Sequence, residues 1–320
     1  MKRFFLFFFL IYLGTLQAQN STTVQTKDIT HFWEAFDALS TCKTNTDSIQ
    51  TMQRLYLDRA TRGLKDFAKV RDFTADGFVE VIATYPKYYQ SIRANTLTIS
   101  KILSELEGIV TAFKNVYPRF EEKGICFAIG MLNTGGTISE DFLLIGSEIA
   151  ASTNATDLSE IDNDAFKKVL SSGTSVKQKI RNMIAHEYVH TQQKIMYSDN
   201  AVKCSLLKNT LEEGQCDFIG ELLAGGQINT IAKSYGDQHE EALWNSFKNE
   251  LCNVSDENWL YNFTTVKEEP ADLGYYIGYQ ITKSYYEQAI DKQQAIIDIL
   301  EMDNPLHFLQ MSGYDQKFKD

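Results

Sequence analysis

The pentapeptide HEYVH at 186–190 is the stretch whose residue types and spacing are best suited to chemistry. It lies in the run 175–195, which contains no Pro or Gly and repeats apolar residues at helical spacing. Side chains four residues apart share one helix face, so His186 and His190 can bind the same zinc ion. Glu187 lies beside that face and can accept a proton from a zinc-bound water, as in metallopeptidases. The alternative is a pair of solvated or core histidines.

A zinc ion held by two histidines needs a third protein ligand and an open position for water. One zinc-peptidase pattern continues the motif with a Gly and a third His, but Gln193 and Met196 occupy those places here. That subtype is therefore excluded. The other common solution is a carboxylate from a following helix, and the segment 211–224 offers one.

The predicted helix 211–224 carries two carboxylates, Glu213 and Asp217, on one stripe with two small residues, Gly220 and Ala224. Small residues let a neighbouring helix approach closely, and a carboxylate that faces such a neighbour needs a partner. We expect Glu213 to be the third zinc ligand and Asp217 to accept a hydrogen bond from an imidazole N–H. Glu212, about 100° round the helix, is the other candidate ligand. The alternative for the whole stripe is a set of solvated carboxylates.

Zinc peptidases usually add a Tyr or His donor that stabilises the negative oxygen formed during amide hydrolysis. The predicted helix 273–289 opens with several aromatic residues. Its tyrosines Tyr275, Tyr276 and Tyr279 are the candidates, with His239 as a weaker one. The alternative for each tyrosine is aromatic packing between helices.

Residues 1–18 have the features of a secretory signal peptide. Lys2 and Arg3 precede an apolar stretch of ten residues, and Ala18 offers a small residue before the cleavage point. That stretch is too short to span a bilayer, and no later stretch is long enough. No Cys follows it directly, which argues against a lipoprotein signal. We expect the mature chain to be exported, either periplasmic or secreted, with no stable membrane span.

The net charge narrows the class of partner. It is −11 for the whole chain, and two units more negative once Lys2 and Arg3 are removed. Nucleic-acid binding needs clustered basic residues, so we expect a peptide or protein substrate and no nucleic acid. Among the five cysteines, Cys204 with Cys252 is a plausible disulfide, although spacing alone does not decide the pairing.

The chain divides into three parts of one compact unit, 19–320. Residues 19–122 have the pattern of successive helices, including helical segments over 47–67, with an interruption at Gly63, and over 98–120. Residues 123–225 begin with two apolar strands, 125–131 and 142–148, which flank turn residues and are predicted to pair antiparallel. Residues 226–320 are again helical. The sequence predicts an α+β fold, mostly helical, with a small antiparallel sheet beside the zinc helix.

The motif HEYVH with Glu213 and Asp217 on the next helix resembles the gluzincin branch of zinc peptidases, typified by thermolysin. In that branch the Glu ligates zinc and the Asp supports a zinc-bound His. Glu212 stands where thermolysin-like enzymes usually have Asn, which leaves Glu212 and Glu213 both open as ligands.

More of the chain resembles a family of exported bacterial proteins described as zinc-dependent proteases, which is related to a gliding-motility lipoprotein family. The resemblance covers most of the mature chain and implies a zincin-like fold. The stretches that carry it are HFWEAFDAL, LYLDRATRGLKDF, IGMLNTGGTIS, FLLIGSE, HEYVHTQQ, EEGQCDFIGELL and GYYIGYQI.

The sequence as a whole predicts a zinc-dependent metallopeptidase. His186, His190 and Glu213 would hold one Zn²⁺, and Glu187 would act as general base in amide hydrolysis. The alternative is an exported zinc-binding scaffold or surface-assembly protein without turnover. A structural zinc site usually has four protein ligands and needs no base, so the presence of Glu187 favours the enzyme.

Overall fold

The computed structural model describes residues 23–103, 106–194, 204–263, 265–266 and 269–318. The signal peptide predicted at 1–18 lies outside these residues. Within them the fold is α+β and mostly helical with one small sheet, which confirms the predicted class. The first six helices are α1 Lys27–Leu39, α2 Asn45–Leu55, α3 Arg62–Val70, α4 Ala75–Thr84, α5 Pro86–Thr96 and α6 Leu106–Val116.

The N-terminal helices are shorter than the hydrophobic pattern predicted. The run 47–67 is divided between α2 and α3 by the turn Leu57–Arg59, and Gly63 lies in the first turn of α3 rather than at the break. Thr61 ends the turn because its hydroxyl accepts a hydrogen bond from the Leu64 N–H and so caps α3. The run 98–120 contains only α6 and the turn Ile99–Lys101. Apolar spacing alone did not reveal these caps.

The sheet consists of β1 Val24–Gln25, β2 Gly124–Ala128, β3 Gly136–Ile138 and β4 Phe142–Gly146, in the order β1-β2-β4-β3. The antiparallel pairing predicted for the two apolar strands is wrong, because β2 and β4 run parallel. The segment that looks like a turn supplies a third strand: β3 pairs antiparallel with β4 and forms the sheet edge. Strand β3 begins at Gly136, directly after Gly135, and has no apolar run that would mark it as a strand.

Strand β4 is buried along its whole length, and β2 from Ile125 onward. Burial on both faces explains why these strands are continuous apolar runs rather than alternating ones. Helices α1 and α3 pack against β2, and α9, the helix of the HEYVH motif, packs against β3 and β4. The sheet edge is thereby placed next to the motif.

The remaining helices are α7 Ser147–Ala150, α8 Asp164–Leu170, α9 Val176–Gln192, α10 Ser205–Ala224, α11 Thr230–Phe247, α12 Leu273–Gln288, α13 Lys292–Leu300 and α14 Pro305–Ser312. Helix α10 lies between α9 and α12 and is in close contact with both. A Cβ added at Gly278 would stand 1.9 Å from the carbonyl oxygen of Thr210, so α10 and α12 cross backbone to backbone. At Gly220 of α10 an added Cβ would stand 3.3 Å from the backbone nitrogen of His186. Helix α9 therefore lies close to α10 on the side opposite α12.

A disulfide between Cys204 and Cys252 joins the start of α10 to the segment after α11, as the sequence suggested. The other three cysteines, Cys42, Cys126 and Cys216, are free thiols. The disulfide fixes the N-terminal end of the helix that carries Glu213.

Candidate metal centre

Helix α9 sets the two histidines side by side. It begins where the Ser175 hydroxyl accepts a hydrogen bond from the Gln178 N–H, and it continues to Gln192 without a Gly or Pro. The imidazole rings of His186 and His190 lie 5.0 Å apart, centroid to centroid, and both side chains are largely buried. Their Nε2 atoms face α10.

Helix α10 presents Glu213 to both imidazoles. The Oε2 atom of Glu213 lies 3.3 Å from Nε2 of His186 and 3.3 Å from Nε2 of His190. This oxygen is buried and has no hydrogen-bond partner of acceptable geometry among the described residues. Glu212 is turned away, since its carboxylate accepts a hydrogen bond from Lys208 at 2.6 Å. The structure therefore places Glu213, and not Glu212, beside the histidines.

The spacing of these three atoms fits a zinc ion. Two ligand atoms that each lie about 2.0–2.1 Å from a tetrahedral zinc stand about 3.3–3.4 Å apart. A second set of possible metal ligands exists, because ligand atoms of His186, His190 and Cys216 lie within 4.8 Å of one another. The Cys216 thiol, however, donates to Oε1 of Gln193 at 3.6 Å, whereas Oε2 of Glu213 stands 3.3 Å from both imidazole nitrogens. The geometry thus favours Glu213 over Cys216.

The outer nitrogen of each imidazole has its own acceptor. Nδ1 of His186 lies 3.0 Å from Oδ1 of Asp217, and Asn229 donates to the other oxygen of that carboxylate. Nδ1 of His190 lies 3.1 Å from Oε1 of Gln193. A proton held on Nδ1 leaves the Nε2 lone pair free to bind a metal, so both contacts favour the metal-binding tautomer.

The sequence analysis considered Gln193 only because it occupies the Gly position of the excluded zinc-peptidase subtype, and it did not predict a supporting role for this residue. Its amide group donates to the Glu212 carbonyl oxygen at 2.7 Å and to Gln215 at 2.8 Å, which fixes the direction of its oxygen toward His190. The signal available in the sequence was its position three residues after His190, at the end of the helix.

The charges of the centre are strongly coupled. Burial alone would lower the pKa of His186, but the carboxylates of Asp217 and Glu213 that face its two ring nitrogens raise that pKa to about 10. Burial opposes ionisation of Glu213, yet the neighbouring charge of His190 and the contacts with both imidazoles hold its pKa well below the usual range. Positive charge on the imidazoles thus compensates the buried carboxylates. A bound dication can supply that charge instead and release the protons.

Glu187 is buried against the sheet edge. A Cβ added at Gly136 of β3 would stand 2.3 Å from its Oε1, so only glycine fits beside this carboxylate. Burial raises the pKa of Glu187, while the charges of His186 and His190 lower it. The carboxylate lies next to the candidate ligands His186 and His190 without being part of the three-atom cluster.

The structure separates the three candidate tyrosines of α12. The ring of Tyr275 stacks toward His186 with centroids 6.3 Å apart. Tyr276 packs over Gly236 of α11 and accepts a hydrogen bond from Gln280, and Tyr279 donates to Glu221 at 2.6 Å. Successive positions on a helix point in different directions, which takes Tyr276 away from the centre, and Glu221 engages the hydroxyl of Tyr279. His239 is exposed on α11 and contacts its own helix backbone.

Two residues near the centre had no signal in the sequence. Tyr261 donates a hydrogen bond from its hydroxyl to Oε1 of Glu213, although most of its side chain is exposed. It occupies a left-handed backbone conformation in the segment before α12, with φ of 55°. Arg71, at the end of α3, is close enough for its charge to lower the pKa of Glu187. Both residues lie far from the motif in the chain.

The family model described as Gliding motility protein GldB matches residues 16–316. The chain belongs to this family. The relation to a gliding-motility lipoprotein family that the sequence indicated is thereby confirmed. No curated protein and no solved structure matches the chain.

Membership in the GldB family agrees with a protein that is exported or located in the cell envelope. Among the described residues, every helix is too short or too polar to cross a membrane. The match spans both the N-terminal helices and the whole candidate centre, so the two belong to one family unit.

Proposed function

We propose that this chain is a zinc-dependent hydrolase of peptide bonds that acts after export, in the periplasm or outside the cell. The observation that carries the proposal is the meeting of three ligand atoms. Oε2 of Glu213 lies at zinc-ligand spacing from Nε2 of both histidines and has no hydrogen-bond partner within the part of the chain that the structure describes. A buried oxygen in this state is costly, and a shared metal ion removes the cost.

A zinc ion bound there would polarise the substrate carbonyl and acidify an attacking water. Glu187 takes the proton of that water and returns it to the leaving nitrogen. Burial raises the pKa of Glu187 toward the range in which a carboxyl group can perform both steps. Because Gly136 has no Cβ, the Glu187 carboxylate has room to lie against the edge of the sheet.

Two tyrosines are placed to assist. The Tyr275 ring faces His186, and Tyr261 lies 6.2 Å from Tyr275, between ring centroids, with its hydroxyl on Glu213. A hydroxyl in this position can donate to the carbonyl oxygen as that oxygen gains negative charge. We assign this role to Tyr275 first, and to Tyr261 only if its hydroxyl leaves Glu213. Tyr276 points away from the centre, and the hydroxyl of Tyr279 donates to Glu221, so neither is assigned the role.

Strand β3 supports a peptide as the substrate. It is the edge of the sheet, and its Gly136 adjoins Glu187. An extended peptide that paired with this edge would run past the proposed base. The acidic net charge of the chain argues against a nucleic-acid substrate.

The second candidate is an exported zinc-binding scaffold or surface-assembly protein without turnover. Two observations favour it: the family is named for a motility protein, and Cys216 lies near enough to the histidines to become a fourth ligand after a small movement. Both candidates include bound zinc. They differ in whether Glu187 is needed.

The test compares the wild-type mature protein with Glu187→Gln, and uses Glu241→Gln on exposed α11 as the matched control. Zinc content is measured by mass spectrometry, and cleavage is measured with a random peptide library. We expect one zinc in all three proteins and a loss of about 10²–10⁴-fold in cleavage for Glu187→Gln alone.

Equal zinc with no cleavage by any of the three proteins would support the scaffold instead. Equal cleavage by the wild type and Glu187→Gln would exclude Glu187 as the base. A wild-type protein that takes up no zinc after reloading would rule out both candidates.

A further inference from the structure

The side chain of Tyr261 contacts the candidate centre from a segment outside the metal-binding motif. Its hydroxyl donates a hydrogen bond to Oε1 of Glu213. The other oxygen of that carboxylate, Oε2, is the one that lies 3.3 Å from Nε2 of both His186 and His190. The two oxygens of Glu213 therefore have different surroundings: one faces a hydroxyl donor, and the other faces the two imidazoles.

The backbone of Tyr261 has a conformation that this residue type does not favour. Its φ is 55°, in the left-handed region that bulky side chains rarely occupy. The residue is also 56% exposed, so burial of its ring offsets little of the cost. Such a conformation persists only where the surrounding structure determines it, and residues of this kind cluster at functional sites.

The residues on both sides of Tyr261 are fixed by contacts with the start of α12. Trp259 is buried, and its carbonyl oxygen accepts a hydrogen bond from the N–H of Gly274 at 2.8 Å. Asn262 is buried as well, and its side-chain oxygen accepts a hydrogen bond from the N–H of Asp272 at 2.9 Å. Because α12 packs closely on α10, these contacts hold the turn at Tyr261 beside the helix that carries the third ligand.

The ring of Tyr261 has a second contact at the centre. It meets the ring of Tyr275 edge to face, with centroids 6.2 Å apart, and Tyr275 in turn stacks toward His186. Aromatic pairs favour this arrangement, so the contact limits the directions that the phenol can take. The hydroxyl therefore loses little conformational freedom when it holds the Glu213 oxygen.

A hydrogen bond to one oxygen of a ligand carboxylate affects how the carboxylate binds a metal ion. A carboxylate can bind through one oxygen or through both, and a catalytic zinc site keeps one position open for water or substrate. A donor outside the ligand shell orients the carboxylate and leaves the other oxygen to the ion. A neutral hydroxyl does this without removing the negative charge, whereas a Lys or Arg in its place would pair with it.

We propose that Tyr261 is a positioning residue that keeps Glu213 a one-oxygen ligand of the zinc ion. Because Oε1 is held by the hydroxyl, Glu213 and the two imidazoles supply three ligand atoms, and one position stays open. This inference rests on the zinc centre of the proposed function. It places the Tyr261 hydroxyl on the ligand, which leaves donation to the substrate oxygen to Tyr275.

The test uses Co²⁺ in place of zinc, because the visible absorption of Co²⁺ becomes weaker as its coordination number rises. The mature wild type is compared with Tyr261→Phe, which removes only the hydroxyl. Tyr235→Phe is the matched control, since the Tyr235 hydroxyl also contacts a carboxylate, that of Glu269 at 3.3 Å, but on the exposed surface. Zinc affinity is measured by competition with a zinc-binding dye, and thermal unfolding is measured on the metal-free proteins.

We expect one Co²⁺ ion in each of the three proteins. The visible bands of Tyr261→Phe should be weaker than those of the wild type, because the released Oε1 of Glu213 can then bind the ion as well. Its zinc affinity should fall by about 10-fold, the lower end of the usual effect of losing a hydrogen bond to a metal ligand. Tyr235→Phe should match the wild type in both measurements.

Cobalt bands of Tyr261→Phe equal to those of the wild type would overturn the proposal. Together with a fall of several degrees in the metal-free melting temperature, that result would assign Tyr261 a structural role instead. A thiolate-to-cobalt band in the near ultraviolet spectrum of the wild type would also overturn it. Such a band would show Cys216 among the ligands, so that no position stayed open.

Failure of the hydrolase function is visible separately when peptide cleavage is assayed in the same samples. If the wild type cleaves no peptide but its cobalt bands respond to Tyr261→Phe, the positioning role stands for a zinc protein without turnover. If the wild type cleaves peptides and the bands do not respond, the hydrolase stands and the role of Tyr261 is wrong. A wild type that binds neither zinc nor cobalt would overturn both.

Discussion

Polar side chains are buried both beneath the N-terminal helices and between α9 and α10. The two regions differ in whether these buried groups have hydrogen-bond partners. In the first region, three buried tyrosines each donate a hydrogen bond to a backbone carbonyl. Tyr56 donates to Ile129 at 2.6 Å, and Tyr89 donates to Gly130 at 2.8 Å. Tyr88 donates to the carbonyl of Glu148 at 2.9 Å. These groups are satisfied by the fold itself.

Between α9 and α10 the buried groups are titratable and incompletely satisfied. His186, Glu187 and Asp217 are all buried, and Glu213 keeps one oxygen that has no hydrogen-bond partner among the described residues. A region that only stabilises the fold would pair such groups or replace them with apolar ones. The comparison teaches that the three tyrosines of the first region need no further partner, whereas the Glu213 oxygen of the second region is the group for which we propose a metal ion.

The largest expected effect is on the zinc-dependent stability of the second region. Free zinc at 1,000 times its dissociation constant should raise the free energy of unfolding by about 4 kcal/mol, since zinc binds the folded state. His190→Ala should lose most of this gain, and His239→Ala, which removes an exposed histidine, should keep it. Urea unfolding with and without zinc measures both. An equal gain in stability with zinc in His190→Ala and the wild type would contradict the proposal that His190 binds zinc.

The next effect belongs to the first region and concerns pH. Glu148 is fully buried, and its carboxylate accepts the N–H groups of Gly130 and Leu132. Burial raises its pKa from 4.5 to about 7. The folded state therefore holds this proton more tightly than the unfolded state between pH 4.5 and 7. Stability should fall by about 3 kcal/mol as pH rises through that window.

Glu148→Gln isolates this contribution, because the amide does not titrate. The variant should lose stability through a weakened contact with Gly130 or Leu132, and its stability should also vary less between pH 4.5 and 7 than that of the wild type. Both proteins are measured by urea unfolding in the zinc-loaded state, which keeps the histidines from titrating. Identical pH profiles would show that Glu148 does not titrate in this range.

The smallest effect sharpens the description of the second region. Asp217→Asn replaces a charged acceptor of the His186 N–H with a neutral group, and should weaken zinc binding by about 10–100-fold. Glu221→Gln, one helical turn further, is the control, because its carboxylate contacts Tyr279 rather than a histidine. Competition with a zinc-binding dye measures both affinities. Equal affinities in all three proteins would contradict a supporting role for Asp217.

Local patterns made much of the centre predictable. The i, i+4 spacing of the histidines, the absence of Gly and Pro around them and the Ser175 cap all lie within one segment, and α9 forms there. The stripe of Glu213, Asp217 and Gly220 is likewise a property of one helix, and the structure turns it toward α9. Where a feature depends on residues within a turn or two, the sequence contains the information.

Features that depend on distant residues were not predictable in the same way. The parallel pairing of β2 with β4 depends on β3, whose glycines resemble a turn. Tyr261 donates its hydrogen bond to Glu213 from another segment, and the charge of Arg71, at the end of α3, lowers the pKa of Glu187. No local pattern marks either residue.

The sequence by itself determined the helical class, the i, i+4 spacing of the two histidines on α9 and the carboxylates available on α10. Only the tertiary structure decided that Glu213 rather than Glu212 meets the histidines, and that Gln193 supports His190. The physical reason is that a helix fixes the angle between its own side chains, whereas the packing of one helix on another fixes which of them point inward.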